Sequence, residues 1–458
     1  MDSSDSNDTN EIYIIKLEKH VIELISENSD LKAKILSLSN ENEKLKSRIL
    51  KYENPHTPPS SQKMGNINMG KTQEEQIPGK RGAPIGHRGA TRVMEHPDEI
   101  IHVSMDKCPK CNSSLGSPIK TEKKTILDIP PPQDVKVTEY DLDIYRCNNC
   151  GSEVKSRHKD CPQKGDMGIY LLNYITMLKY NMRGVIRKVQ EFISVNNNLD
   201  LSTKGIEDAL LRVGEACKVE YDAIGKRISK SKWVHIDETG FHVDGKKYWL
   251  WSFRSAENDI LVVITDSRGR DVVKETMGEN FHGPVIVDGW RAYSYLTIIQ
   301  RCWAHLIREV DAFKDNKQGK ELSDEIHAMF KELKESLKSE DMDYRMSMKN
   351  AFDKKIDDIA NRYGEYRELK KPVKYIINGL GSWFTCLLYP GMEPTNNLAE
   401  QSIREHVVIR KIIGTFRSKS GSQNYQYISS LMSTWNFQKK NMFVEMDKIL
   451  RKELCGIG

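Results

Sequence analysis

Apolar residues recur along this chain with three different periods, and each predicts a different kind of element. Leu17, Leu24, Leu31, Leu38 and Leu45 return every seven positions, with Val21, Asn28, Ile35, Asn42 and Ile49 in the second seam. Leu at one seam position and mostly branched residues at the other predict a parallel two-stranded coiled coil. Asn28 and Asn42 would fix its register at some cost in stability. Further on, GIYLLNYITMLKY and RGVIRKVQEFISV carry helical apolar spacing. NNNLDLSTKGIEDALLRVGEAC follows, with Ser202 and Thr203 as N-cap candidates. A short helix, a turn and a capped helix suit a helix-turn-helix that reads a major groove, and equally a plain helical linker domain. From Trp233 the pattern shifts to short apolar runs. WVHID, YWLWSF and ILVVIT read as three successive strands, followed by a helix over Asp271–Met277 and the strand PVIVD. Residues 305–370 return to a helical pattern rich in Lys and Glu.

At 458 residues the chain exceeds one hydrophobic core. The fold class expected is multidomain α+β. The coiled coil occupies 11–52, a basic flexible linker 53–100, a zinc-ribbon-like domain 101–162, and a helical, helix-turn-helix-like DNA-binding domain 163–230. An α/β domain takes 231–458, with a helical insertion at about 306–390. Apolar content is 38%, and no run of about 18 apolar residues occurs, so no spanning helix and no membrane partner are expected. The opening MDSSDSNDTN is acidic and polar, unlike a secretory signal, which predicts a cytoplasmic protein.

The net charge of +5 says little about partners, because acids nearly balance bases; local clusters say more. GKRGAPIGHRGATR, residues 79–92, carries Lys80, Arg81, Arg88 and Arg92 with no acid. Gly and Pro keep it extended, so it can track phosphates or enter a minor groove, or serve only as a solvated linker. Nine cysteines include CPKC (Cys108, Cys111) and CNNC (Cys147, Cys150). Without a secretory signal, metal binding is favoured over disulfides, and four thiolates so spaced suit tetrahedral structural Zn²⁺.

Three acids stand out. VHIDET and VIVDGW are apolar runs that each reach an Asp, Asp237 and Asp288. Glu400 follows at a helix start in PTNNLAEQSIREHVVIRK. Strands can deliver the first two carboxylates to a sheet edge and a helix the third, making an oxygen-rich pocket for two divalent cations. Glu238 should leave the opposite face of its strand and ranks lower. Asp244 and Asp266 read as turn residues. Cys302 and His305 form a Cys-x-x-His pair, read as support near the acids or as a buried core pair. Arg404 lies one turn past Glu400 and could hold a phosphate or pair with that acid. Asn396 and Asn397 are candidates for DNA contact or helix capping. Arg410, Lys411, Arg417 and Lys419 make a basic stretch expected to touch DNA. Trp290, Tyr293 and Trp303 are assigned to packing.

HIDETGF, VDGWRAY, RCWAHLIRE and PTNNLAEQSIREHVVIRKIIGTFRSKSGSQNY together resemble the insertion-sequence 66 family of DDE transposases, whose catalytic domain is RNase H-like. The coil, the KRGAPIGHRG linker and the paired CxxC region stand in the family's order, so the resemblance covers most of the chain. Thr395 and Gln401 depart from the common Asp and Arg without touching a proposed ligand. The resemblance implies a transposase of a bacterial or archaeal insertion sequence, acting at the nucleoid. It would bind terminal inverted repeats, cleave at the element ends and join the freed 3′ hydroxyls to target DNA. It implies two Mg²⁺ (or Mn²⁺) ions, with Asp237 bridging both, Asp288 on one and Glu400 on the other. DNA, a homodimer or higher oligomer and small accessory proteins are the implied partners. The rivals are a nuclease or resolvase of the same fold that cannot join strands, and a non-catalytic DNA-binding regulator.

The heptad makes a direct prediction. A fragment covering residues 11–52 is expected to sediment as a dimer, and charged replacements at Leu24, Leu31 and Leu38 should give monomers. An unchanged dimer in analytical ultracentrifugation would place self-association elsewhere.

Overall fold

The computed structural model describes residues 20–21, 24–42, 96–126, 129, 131–278, 281–290, 293 and 295–456. Residues 24–42 are helical, with Leu24, Leu31, Leu38 and Ile35 all exposed along the helix. Lys80, Arg81, Arg88 and Arg92 lie outside the described residues, as do Leu17, Leu45 and Ile49.

The described chain forms two compact units. One holds the described residues up to 42, Glu139–Gln190 and the described residues from Ser202 onward; the other holds the described residues from 96 to Thr138 with Glu191–Leu201. The first unit contains a small antiparallel hairpin, β1 (Ile144–Arg146) and β2 (Glu153–Lys155). Two helices follow, α1 (Ile169–Thr176) and, past a tight turn, α2 (Ile186–Asn197), which runs across the division between the units. The long helix α3 (Thr203–Ile228) begins where expected: Ser202 Oγ accepts from Gly205 N at 2.9 Å and caps it.

The central sheet is built from β3 (Val234–Val243), β4 (Lys246–Ser255), β5 (Ile260–Thr265), β6 (Val285–Val287) and β7 (Ile299–Arg301). Their order is β5-β4-β3-β6-β7, with β3–β5 antiparallel and β6 and β7 parallel to β3. The β3–β4 hairpin closes at Asp244 and Gly245, both at positive φ, which explains why Asp244 is a turn residue. Helix α4 (Arg270–Met277) links β5 to β6, one residue longer than the pattern predicts. β7 carries no expectation from sequence; IQR is too short to announce itself.

Past β7 the chain turns helical: α5 (Trp303–Asp311), α6 (Lys317–Ser336), α7 (Met342–Gly364) and α8 (Lys370–Ile377). They share a core centred on Trp303, Phe352, Trp383 and Phe384. Buried Gln300 fastens this insertion to the sheet. Its amide donates to Trp383 O at 2.9 Å and accepts from Cys386 N at 2.7 Å, while Thr385 Oγ1 donates to Ile299 O at 2.6 Å. The chain then re-enters through α9 (Asn397–Ile413), α10 (Lys419–Phe437) and α11 (Met442–Leu450). Ile403, Val407 and Ile409 of α9 and Tyr425 of α10 pack on Phe241, Leu250, Ile260 and Val262 of the sheet.

Packing continues across the boundary expected near residue 230. α3 belongs to the same compact unit as the sheet. Tyr221 donates to Val262 O at 3.1 Å, and Arg227 holds buried Asp259 at 2.9 Å. Gly214 supplies a close approach: a Cβ there would overlap the Asn424 side chain of α10. An amphipathic helix advertises an apolar face without naming its partner, and here the partner is the central sheet.

Candidate active site

Asp237 lies within β3 rather than at its end, because ETGFHV continues the hairpin with β4. What ends there is the neighbour. β3 pairs with β6 as Val234↔Val285 and His235↔Ile286, and β6 stops at Val287. Two more steps in that register set Asp237 level with Asp288. Glu400 sits in the first turn of α9, where a carboxylate is favoured by the helix dipole. All three line one cavity of about 360 Å³, together with Glu238, Arg268, Trp290, His305 and Arg308.

Asn396 brings the third acid to the first. Instead of capping α9, its side chain donates to Ile236 O at 2.8 Å and accepts from His235 Nδ1 at 3.2 Å. Its backbone N–H points to Cys302 Sγ at 3.1 Å. Cys302 is fully buried as the residue before α5, with its thiol pushed up by burial. Burial drives His235 down to about 4, so it is neutral at physiological pH. His305, also lowered by burial, sits with Nδ1 3.9 Å from Glu400 Oε1.

The carboxylates are crowded. Burial, then the charges of Glu238, Asp288 and Glu400, raise Asp237 well above the usual carboxylate range. Its Oδ1 accepts from Glu238 N at 2.9 Å, and Asp288 Oδ1 accepts from Trp290 N at 2.8 Å. Asp237 Oδ2 and Glu400 Oε1 are buried with no hydrogen-bond partner among the described residues. Buried acceptor oxygens and repelling like charges on one cavity are what a cation relieves, and the all-oxygen donor set suits Mg²⁺. Among the described residues, no three His, Cys, Asp or Glu side chains already close around a single point. The acids share a cavity without forming a finished cage.

Glu238 departs from the strand-alternation reading. It too faces the cavity, where its side chain is 1% exposed, pairs with Arg268 at 2.7 Å and accepts from Tyr293 Oη at 2.5 Å. Past Val287 no β6 residue flanks this side of β3, so alternate residues can reach the same crevice. Trp290, assigned only to packing, is 39% exposed at the cavity, whereas Tyr293 and Trp303 are buried. Arg268 carries no signal in sequence; it is a lone base in the turn between β5 and α4.

The expected DNA contacts divide. Arg404, Lys411, Arg417, Lys419 and Asn397 are exposed. Arg410 turns inward and donates to Thr239 Oγ1 at 3.0 Å and to Gly240 O, which ties the far end of α9 to β3. Arg410 is thus partnered within the fold, at a position where the sequence reading expected a DNA contact. Arg417 lines a separate cavity of about 710 Å³.

The two CxxC segments fold into matching knuckles. Cys108 N donates to Ser113 O and Asn112 N to Cys108 O; Cys147 N donates to Ser152 O and Gly151 N to Cys147 O. Asn112 and Gly151 supply the positive φ that each turn requires. Hydrogen bonding from Ser113 lowers Cys111, and from Ser152 lowers Cys150 to about 7, toward the thiolate that a metal needs.

The family model described as Transposase IS66 family matches residues 164–424, more than half of the chain. The chain belongs to that family. A second model, the zinc-finger binding domain of transposase IS66, matches residues 106–151 and takes in both knuckles. No curated protein matches the chain. The IS66 match begins ahead of α1 and ends within α10, so the family unit includes α3, in agreement with the packing. Among the described residues of this IS66 member no helix is long and apolar enough to cross a membrane.

The raised Asp237 makes a stability prediction. Its folded-state pKa exceeds its unfolded value, so the folded protein binds the extra proton, and metal-free stability falls as pH rises above about 4 toward the folded pKa. Asp237→Asn removes that penalty. The variant should melt higher than metal-free wild type near neutral pH, and the difference should vanish toward pH 4. A variant that melts lower at every pH would refute the crowding argument.

Proposed function

We propose that this family member is a DNA transposase that cleaves at the ends of its element and joins the freed 3′ hydroxyls to target DNA. The observation that carries the reading is the convergence of Asp237, Asp288 and Glu400 on one cavity, from two adjacent parallel strands and one later helix. The strand order, three antiparallel strands followed by two parallel ones, supports an RNase H-like catalytic domain. In this reading Asp237, held by the β3 ladder, would be shared between two ions, with Asp288 holding one and Glu400 the other. Divalent cations held by these carboxylates would supply Lewis-acid activation of the attacking oxygen and stabilisation of the leaving one.

The chain's own groups do the rest. The Asn396 clamp keeps Glu400 at the strand edge. His305, its pKa lowered by burial, lies 3.9 Å from Glu400 and can exchange a proton with a reacting oxygen while adding no fixed charge to the acids. Water attacks first, at the element end; the 3′ hydroxyl so released attacks the target. Lys411, Arg417 and Lys419, exposed near the far end of α9, contact the DNA backbone, as do Lys80, Arg81, Arg88 and Arg92 of the linker. The heptad helix joins two or more copies, which brings two ends together.

Asp237→Asn, Asp288→Asn and Glu400→Gln should each abolish cleavage and joining on a duplex bearing the inverted repeat that bounds the gene, while end binding persists. Mg²⁺ should raise the melting temperature of wild type and fail to do so for Asp237→Asn. Cleavage that survives in Glu400→Gln would remove the third acid from the site. Cleavage by wild type with no joining would leave a nuclease; binding with neither reaction would leave a regulator.

Zinc is assigned to Cys108, Cys111, Cys147 and Cys150, all inside the matched zinc-finger stretch. Elemental analysis of the full chain should find about one zinc per molecule, a stoichiometry set by four thiolate ligands per ion. Cys147→Ser should lose it. Freshly purified protein without zinc would sink the assignment.

A further inference from the structure

Arg268 is the cation most firmly fixed at the acid cavity. Its Nε and Nη2 both donate to Glu238 Oε1, at 2.9 and 2.7 Å. Its guanidinium lies 3.9 Å from the Trp290 ring centre and 4.5 Å from that of Trp249. The turn behind it is also held: Trp251 Nε1 donates to Ser267 O at 3.2 Å, and Gly269 N to Ser267 Oγ at 2.9 Å. Charge, stacking and backbone therefore all set one orientation for this side chain, which remains 33% exposed at the cavity.

Glu238 is correspondingly spent. With Arg268 on one oxygen and Tyr293 on the other, it has little capacity left for a cation, although it is nearest in sequence to Asp237. The pair is neutral overall. It adds no net charge to the three remaining acids, yet it leaves one edge of a planar guanidinium, Nη1, with no acceptor among the described residues. A fixed guanidinium edge beside carboxylates suited to cations is complementary to a phosphate bound between them.

We propose that Arg268 grips a non-bridging oxygen of the DNA phosphate that enters this cavity, and that Glu238, Tyr293, Trp249 and Trp290 are its positioning residues. The inference rests on the transposase reading and adds to it the group that holds the reacting phosphodiester.

The test pairs protein variants with charge deletion in the DNA. Full-length wild type, Arg268→Gln, Arg268→Lys and Glu238→Gln are each offered end duplexes carrying one neutral methylphosphonate, moved phosphate by phosphate across the cleaved bond. Binding is measured in EDTA and single-turnover cleavage in Mg²⁺. Arg268→Gln should slow cleavage about 10- to 100-fold, the range expected for losing one hydrogen bond to a charged group. Arg268→Lys keeps the charge and loses the fork, so it should slow cleavage less. At one phosphate the methylphosphonate should weaken wild-type binding in EDTA about 5- to 10-fold and leave Arg268→Gln binding unchanged, a non-additive cycle that a merely structural role would not produce. Glu238→Gln should retain that dependence in weakened form. Additive losses at every phosphate, or wild-type cleavage by Arg268→Gln, would overturn the proposal. Should Arg268→Gln misfold with Glu238 left unpaired, the same cycle with Arg268→Lys decides, additivity again counting against it. A wild type that binds but never cuts would defeat the transposase reading, and the EDTA cycle would still decide on Arg268.

Discussion

One buried amide holds the acid site together. Asn396 stands 160 residues from Ile236 and 94 from Cys302, yet its side chain and backbone bond to both. Ile236 immediately precedes Asp237, Cys302 opens the helix that carries His305, and Asn396 opens the helix that carries Glu400. A single residue thus fixes the relative position of three segments that the sequence keeps far apart. The amide suits this task because donor and acceptor are both used in a place where an unsatisfied group would cost about 1–3 kcal/mol. An apolar residue there would fill the space and leave Ile236 O without its donor.

The second constraint is charge. Asp237, Glu238, Asp288 and Glu400 are drawn to one small cavity, and the fold does not neutralise them all. Arg268 answers Glu238 alone. The remaining repulsion appears in the raised Asp237 and in buried oxygens without partners. Such crowding lowers the stability of the protein by itself and has no structural benefit to offset it, which is the pattern of a site arranged for something that binds.

Much of this was legible in sequence, and the gaps have physical reasons. β3, β4, β5, α4 and β6 appear in the predicted order because their apolar runs are long or clearly bounded, and Ser202 caps α3 as its type and position suggest. The three acids reach one cavity because strand and helix starts can be read from local pattern. β7 escaped because three residues carry no period. Glu238 was ranked low because alternation sends it to the opposite face from Asp237, yet β6 ends beside it and the cavity at that edge takes in both residues. Arg268 was invisible because its role depends on Trp249, Trp290 and Glu238, residues that converge only in three dimensions. Arg410 reads as a surface base until the helix is laid on β3, where it meets Thr239 and Gly240.

The helix α9 turns these constraints into a direction. It is tied to β3 at both ends, by Asn396 to Ile236 and by Arg410 to Thr239 and Gly240, while Arg254 donates to Leu398 O at 3.0 Å near its start. Its buried face on the sheet leaves it little freedom to slide or roll. Glu400 occupies the end where the dipole favours a carboxylate, and Arg410 and Lys411 the end where it favours cations. About 16 Å separates the two groups along the axis, at 1.5 Å per residue. A polyanion drawn to the basic end would meet a carboxylate cavity at the other, and its phosphates would be repelled there unless cations or Arg268 received them. The same helix that assembles the acid site therefore also makes admission to it conditional on positive charge.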